Sequence, residues 1–562
     1  MKHFVSYFND SVKKYWDLPA VTNYGKEIQT YTYGQMAKEI EKYHILFQET
    51  GIKKGDKIAI YARNSAEWCI AYFATLTYDA VTVPFLPDFL PAAVVELGTF
   101  SECRMLIIDD VAFNAFKSSP ELFDKLEESK DFIGILNIKD ASVLRDSTDG
   151  KLANAYDGVD ALFSSRYKNG FTADSVNYYK EERDLNAPVE ISFTSGTTSA
   201  TSKGVVLPAR SLSANLEFGI REIPSCVGGH IFAILPMAHM FGQAFDVLFP
   251  FASGCHVYVM PGKPTPARLL AGLAAVKPFM FLTVPMVIEK IFKSKVFPAT
   301  RKFPAKLLLK IPGLDKIVLN KIRKSLLNAF GNGFTTGVII GGAALNREVE
   351  DLLKRMKFPY VVGYGMTECG PLISYRDKSE YVKYSCGTNA HPIEIRIDSA
   401  NPRRVLGEIQ VKGDAVMLGY YKNEEATNAA FTSDGWLRTG DMGLFDNKAN
   451  LFIKGRCKNM ILTASGQNIY PEEIEDKINN LPYVVESLVV GRKNALVALV
   501  VLDYEAGKKD NLSEEELNKL VDANVLALNS ELAAYSKIGY TEMRQEPFEK
   551  TPKQSIRRFM YN

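Results

Sequence analysis

The chain has 562 residues, with Lys+Arg at 67 against Asp+Glu at 65, a length beyond one ordinary core that predicts roughly two to four structural units. The near-cancelling charge gives no footing for nucleic acid as a main partner. Seven cysteines, scattered and without a C-x-x-C pair, argue against a disulfide framework or a structural zinc site and fit a reducing cytoplasm.

The opening residues, MKHFVSYFNDSVKKYWD, show no uninterrupted apolar core and no small-residue cleavage site, so no signal peptide is expected. Strand-length apolar runs at Lys57–Ala62, Met105–Ile108 and Ile231–Leu235 alternate with longer helical patterns such as Ala66–Leu76, which predicts parallel sheets covered by helices. Glycine and proline clusters at Pro84–Pro91 and Pro261–Pro266 read as loops. The most apolar region, Ile231–Met260, is interrupted by Pro236, Asp246, Pro250 and glycines, so a membrane-spanning helix is not expected there.

Between Lys290 and Lys324 a basic, partly apolar stretch holds Lys293, Lys295, Arg301, Lys302, Lys306, Lys310, Lys316, Lys321, Arg323 and Lys324. Three readings stay open for it: a contact with an anionic membrane surface, a hold on the phosphates of a small ligand, or a solvated helical face. The expected location is cytoplasmic, with a peripheral contact at the inner membrane surface as the variant. After Gly455-Arg456-Cys457-Lys458 come a strand-like Met460–Thr463 and the helix start Pro471-Glu472-Glu473-Ile474-Glu475, with proline and acids where a helix N-terminus favours them. The expected class is therefore α/β: a large N-terminal domain of helix-covered sheets, residues 1–457, and a small C-terminal α+β domain, residues 458–562.

The sharpest motif is the hydroxyl-rich loop Phe193-Thr194-Ser195-Gly196-Thr197-Thr198-Ser199-Ala200-Thr201-Ser202-Lys203-Gly204, which follows the apolar run Val189–Phe193. Small residues let backbone N–H groups approach phosphate oxygens, hydroxyls add donors, and lysine adds positive charge. It is no Walker A loop, because Lys203 stands between Ser202 and Gly204.

With this loop, further segments resemble the adenylate-forming superfamily of acyl-CoA synthetases, peptide-synthetase adenylation domains and luciferases over most of the chain. They are Leu235-Pro236-Met237-Ala238-His239, Gly341-Gly342-Ala343-Ala344-Leu345, Gly363-Tyr364-Gly365-Met366-Thr367-Glu368, Gly435-Trp436-Leu437-Arg438-Thr439-Gly440-Asp441, Lys454–Lys458 and Gly466–Glu475. The resemblance implies that Thr194, Ser195, Gly196, Thr197, Thr198 and Lys203 cradle the phosphates of ATP, and that Gly342, Ala343 and Tyr364 meet the nucleotide. It puts Thr367 on the α-phosphate, Glu368 and Thr197 on Mg²⁺, Asp441 on the ribose hydroxyls and Arg456 on the ribose or phosphate side. His239 falls at the edge of the acyl pocket, Lys458 at the hinge, and Gly466 on the loop that reaches the site for thioester formation.

This sequence departs from that pattern twice. The phosphate loop is one residue longer, with Ser199 where glycine is usual and Ser202 where proline often stands. At the C-terminus, Thr551-Pro552-Lys553-Gln554-Ser555-Ile556-Arg557-Arg558, Ser555 takes the place of the usual adenylation lysine; Lys553 is the nearest lysine, and Arg557 or Arg558 are partial substitutes. The implied activity is ATP-dependent conversion of a carboxylic acid, with a long-chain fatty acid as the leading candidate, into acyl-AMP and then acyl-CoA. Two alternatives stay open: an acyl-AMP ligase loading a carrier protein's pantetheine, and a fatty acid or nucleotide binding protein that has lost turnover.

Overall fold

The computed structural model describes residues 1–25, 28–194, 202–262, 264–462, 468–492, 495–550 and 556–561. Among the described residues two large sheets dominate. One has seven strands in the order Tyr360–Val362, Gly337–Ile340, Met280–Thr283, His230–Ala233, His256–Val259, Pro19–Asn23 and Gln29–Thr32, all parallel except the last pair. The other has eight, in the order Gly419–Tyr420, Gly204–Pro208, Pro188–Phe193, Val81–Phe85, Lys57–Tyr61, Cys103–Ile108, Gly134–Asn137 and Val143–Asp146.

Helix Ala66–Thr77 contacts strands of both sheets. That position accounts for its composition, because a helix enclosed on all sides must be apolar all round, and Trp68 and Tyr72 are among its fully buried side chains. Its start is fixed by Ser65, whose hydroxyl accepts from the Trp68 N–H at 3.1 Å.

The expected loop at Pro84–Pro91 needs correction. Pro84 and Phe85 close strand Val81–Phe85, and Pro91 opens helix Pro91–Phe100. Proline is tolerated there because the pairing of this strand with Pro188–Phe193 is confined to Thr82 and Glu190, so Pro84 breaks no ladder on that side. Pro266 likewise opens a helix, Pro266–Val276.

A four-stranded antiparallel sheet, Glu394–Asp398, Gly407–Lys412, Leu437–Phe445 and Leu451–Arg456, ends the large apolar cluster, which runs from Phe4 to Leu451. Past it, strands Val484–Arg492, Ala495–Leu502 and Ile538–Arg544 form a separate sheet. Helices Pro471–Asn479 and Glu514–Ala527 cover one face of it through Ile474, Ile478, Val521 and Val525, while Phe548 packs with Leu488, Val490 and Leu499 in another cluster. No helix among the described residues is long and apolar enough to cross a membrane.

Candidate active site

Ligands of open parallel sheets collect at the carboxyl ends of the strands, and three of the quoted motifs leave such ends. Pro236–His239 follows strand His230–Ala233, Gly341–Leu345 follows Gly337–Ile340, and Gly363–Glu368 follows Tyr360–Val362. The backbone ties these exits together: Gly341 N–H donates to Thr283 O at 3.1 Å and Gly363 N–H to Ile340 O at 2.9 Å. Gly342, at φ +89°, turns the chain in a way an L side chain resists, and both Gly342 and Ala343 are exposed.

The segment Tyr364–Glu368 is anchored at both ends. Tyr364 Oη donates to Asp441 Oδ2 at 2.6 Å, and Arg456 Nε lies 3.0 Å from Asp441 Oδ1. Asp441 and Arg456 face one another across the hairpin of Leu437–Phe445 and Leu451–Arg456. Burial pushes the Asp441 carboxyl above the usual carboxylate range, against the opposing pull of Arg456 and Tyr364. Burial, followed by the charge of Asp441, drives the Tyr364 phenol well above its ordinary value.

At the other end Glu368 accepts from Tyr420 Oη at 2.9 Å, and Lys203 Nζ stands 4.6 Å from the centre of the Tyr420 ring, a cation–π distance. Thr194 N–H donates to Lys203 O at 3.0 Å, which closes the base of the hydroxyl-rich loop. Lys203, Tyr420 and Glu368 thus form one chain from that loop to the turn Thr367–Cys369. Burial and the Glu368 charge raise the Tyr420 phenol, keeping it a donor.

The turn itself is clamped from behind. Asn215, buried, donates through Nδ2 to Cys369 O at 3.0 Å and accepts at Oδ1 from Leu372 N–H at 2.9 Å. Gly370 sits at φ +60°, and a Cβ there would collide with Ser211 Oγ.

His239 accepts at Nδ1 from Phe241 N–H at 3.3 Å and so starts the helical turns that follow. Phe241 lies against Gly341, where a Cβ would stand 3.0 Å from its ring, so the turn that His239 starts packs on the Gly341–Leu345 segment through Phe241. Lys458 is exposed in the turn Cys457–Asn459, directly after Arg456. Ser195, Gly196, Thr197, Thr198, Ser199, Gly466, Lys553 and Ser555 lie outside the described residues.

Arg558 is engaged elsewhere than the cluster around Tyr364, Glu368 and Asp441. It pairs with Glu475 and lies 4.0 Å from Glu472, within the C-terminal unit. Burial pushes the Glu475 carboxyl up to about 7 against the pull of Arg558. Arg557 lies 3.5 Å from Glu549. Tyr420 and Asn215 stand outside every quoted motif, and their partners are 52 and 154 positions away, so nothing local in the sequence marks them.

A magnesium ion fits the donor chemistry. Glu368 offers a hard carboxylate oxygen, linked through Tyr420 to Lys203, and Mg²⁺ is commonly held by one or two carboxylates together with phosphates and waters rather than by an all-protein cage. Among the described residues no group of three or more His, Cys, Asp or Glu could hold a metal by itself.

Residues 8–421 match the AMP-binding enzyme family, and residues 458–561 match the AMP-binding enzyme C-terminal domain. The chain belongs to this family. A Mycobacterium bovis protein named long-chain-fatty-acid–CoA ligase FadD15 is 27% identical over 505 residues, covering 84% of this chain and 78% of that protein. An Arabidopsis thaliana chloroplastic protein, long-chain-fatty-acid–[acyl-carrier-protein] ligase AEE15, is 24% identical over 635 residues, covering 98% and 84%. The crystal structure of ATP-bound MatB from Rhodopseudomonas palustris superposes with a TM-score of 0.75 at 20% identity, covering 100% of this chain and 98% of that one, which shows a shared fold.

Proposed function

We propose that the protein activates a fatty acid, of long chain, as acyl-AMP with release of pyrophosphate, and then transfers the acyl group to coenzyme A. The observation that carries this reading is the doubly anchored segment Tyr364–Glu368, tied to Asp441 and Arg456 at one end and to Tyr420 and Lys203 at the other. Asp441 suits a ribose, because a carboxylate can accept two hydroxyl donors. Lys203, with the N–H and hydroxyl groups of the loop from Thr194 to Thr198, suits the phosphates.

In the first step a substrate carboxylate oxygen forms a bond to the α-phosphorus of ATP, and the bond to the bridging oxygen breaks as pyrophosphate leaves. Positioning and charge neutralisation carry such a displacement. Glu368 and Thr197 would hold Mg²⁺, which would supply neutralising charge to the phosphates. Thr367 orients the α-phosphate, and Lys553 supplies the positive charge that Ser555 lacks. In the second step the thiol sulfur forms a bond to the acyl carbonyl carbon, its proton passes to solvent, and AMP leaves.

We assign residues 1–457 to the nucleotide- and acyl-binding domain and 458–562 to a lid that turns about Lys458, bringing the Gly466 loop to the site. His239, at the start of the turn whose Phe241 packs on Gly341, borders the acyl group. The names of relatives support a fatty acid as substrate, and the name of the Arabidopsis relative favours, as a second reading, a carrier-protein thiol as acceptor. Pyrophosphate release measured with Mg·ATP and a panel of short, long and aromatic acids tests the first step. Free CoA compared with a pantetheine-loaded carrier tests the second. Release dependent on a long-chain acid and faster turnover with CoA are expected; preference for the carrier establishes the second reading, and no release with any acid rejects both.

A further inference from the structure

The basic stretch noted in the sequence folds into two short helical pieces, Phe297–Arg301 and Ala305–Leu308, and the longer helix Leu314–Ala329. Its base is held in the core: Ile288, Ile291, Phe292, Val296 and Phe297 are buried. Its outer side is unusual for a water-facing surface. Phe303 is 83% exposed, Ile317 66% and Leu307 52%, with Ile311 and Leu314 exposed beside them. Large apolar side chains gathered in so short a segment mark an interaction surface rather than scattered solvent contacts.

The charge around those side chains identifies what covers them. Between Glu289 and Glu348 the sole acidic residue is Asp315, and it lies 3.7 Å from Arg355. Among the described residues Lys302, Lys306, Lys310 and Lys316 have no carboxylate within ion-pair distance, while Arg301 pairs with Glu348. We infer that the surface from Arg301 to Ile317 docks on an anionic lipid bilayer, with Phe303, Leu307 and Ile317 entering the headgroup boundary and the lysines meeting lipid phosphates. A protein partner with an apolar face would meet uncompensated cations around its rim, whereas a bilayer of anionic lipids offers both the apolar layer and the negative surface. The surface joins the nucleotide end of the molecule through Glu289, which accepts from Asn346 N–H at 3.1 Å just past the Gly341–Leu345 segment.

Sedimentation of the full chain with vesicles tests this without any substrate, so its outcome is independent of the proposed reaction. Phosphatidylcholine vesicles containing about 30% phosphatidylglycerol are compared with pure phosphatidylcholine, at low and high salt. Expected is binding to the anionic vesicles that salt weakens. The variant combining Lys302→Ala, Lys306→Ala and Lys310→Ala should lose about a hundredfold in partitioning, at about fivefold for each lysine near the surface. Phe303→Ser combined with Ile317→Ser should weaken binding at every salt concentration. All five side chains are exposed, so unchanged thermal melts are expected. Failure of the unaltered chain to sediment, or undiminished sedimentation of both variants, overturns the inference. So does a concentration-dependent dimer that the Phe303→Ser, Ile317→Ser variant abolishes, because a second copy would then be what covers the face.

Discussion

Asp441 gathers a phenol and a guanidinium from two distant segments around one buried carboxyl. Asp441→Asn keeps the shape and removes the charge and one acceptor, and hydrogen bonds to a charged group are worth about 1.5–3 kcal/mol. The KM for ATP should therefore rise about ten- to a hundredfold, with thermal stability little changed. Tyr420→Phe leaves Glu368 without its donor and should lower kcat several-fold without abolishing ATP binding, as read by steady-state kinetics and nucleotide titration. Asp441, Arg456, Tyr364 and Glu368 were legible as candidates because each sits in a quoted motif. Tyr420 and Asn215 were not, since what makes them matter is a contact across the fold.

Glu190 is fully buried in strand Pro188–Phe193, where its Oε2 accepts from Tyr72 Oη at 3.2 Å. Burial raises its carboxyl from 4.5 to about 8. Below about 4.5 both folded and unfolded chains hold the proton and the group is neutral to stability. Above that the unfolded chain ionises while the folded one does not, so stability falls as pH rises towards about 8 and the loss persists beyond it. Glu190→Gln removes this cost. Thermal melts at pH 5 and pH 9 should show a smaller fall in Tm for the variant than for the unaltered chain; an equal fall would refute the assignment.

The element that matters most is the turn Thr367–Cys369 with Gly370 behind it. Gly370→Ala imposes a left-handed backbone on an L residue and drives its Cβ against Ser211, effects that together cost about 1–3 kcal/mol. Tm should drop, and activity should fall further than that of the Ala66–Thr77 helix variant Cys69→Ala, which perturbs the core away from the turn. At this scale alternation of short apolar runs and helical patterns foretold the parallel sheets, because strands buried on both faces read as continuous apolar stretches. Pro84 misled because proline usually breaks a strand, and only the pairing partners reveal that the ladder with Pro188–Phe193 does not extend to Pro84 while Pro84 stays paired with Ile60 on the other side.

Across the whole molecule, described contacts between the C-terminal unit and the rest include Asn346 Nδ2 donating to Asn480 Oδ1 at 2.6 Å, Arg347 3.4 Å from Asp476, and Lys454 3.1 Å from Glu473. The proposed turning of a lid about Lys458 predicts that Lys458→Pro, which restricts the backbone there, spares acyl-AMP formation while slowing thioester formation at least about tenfold; single-turnover assays of each step check it. Arg558 could not be assigned from sequence, because its capture by Glu475 and Glu472 needs helix Pro471–Asn479 and the C-terminal segment to meet in space. The most direct measurement is pyrophosphate release with Mg·ATP and a long-chain fatty acid, with and without CoA. Slow release that becomes rapid turnover to acyl-CoA and AMP on adding CoA is the predicted result. Tight ATP binding with no pyrophosphate from any acid would contradict it and make the protein a binder that has lost catalysis.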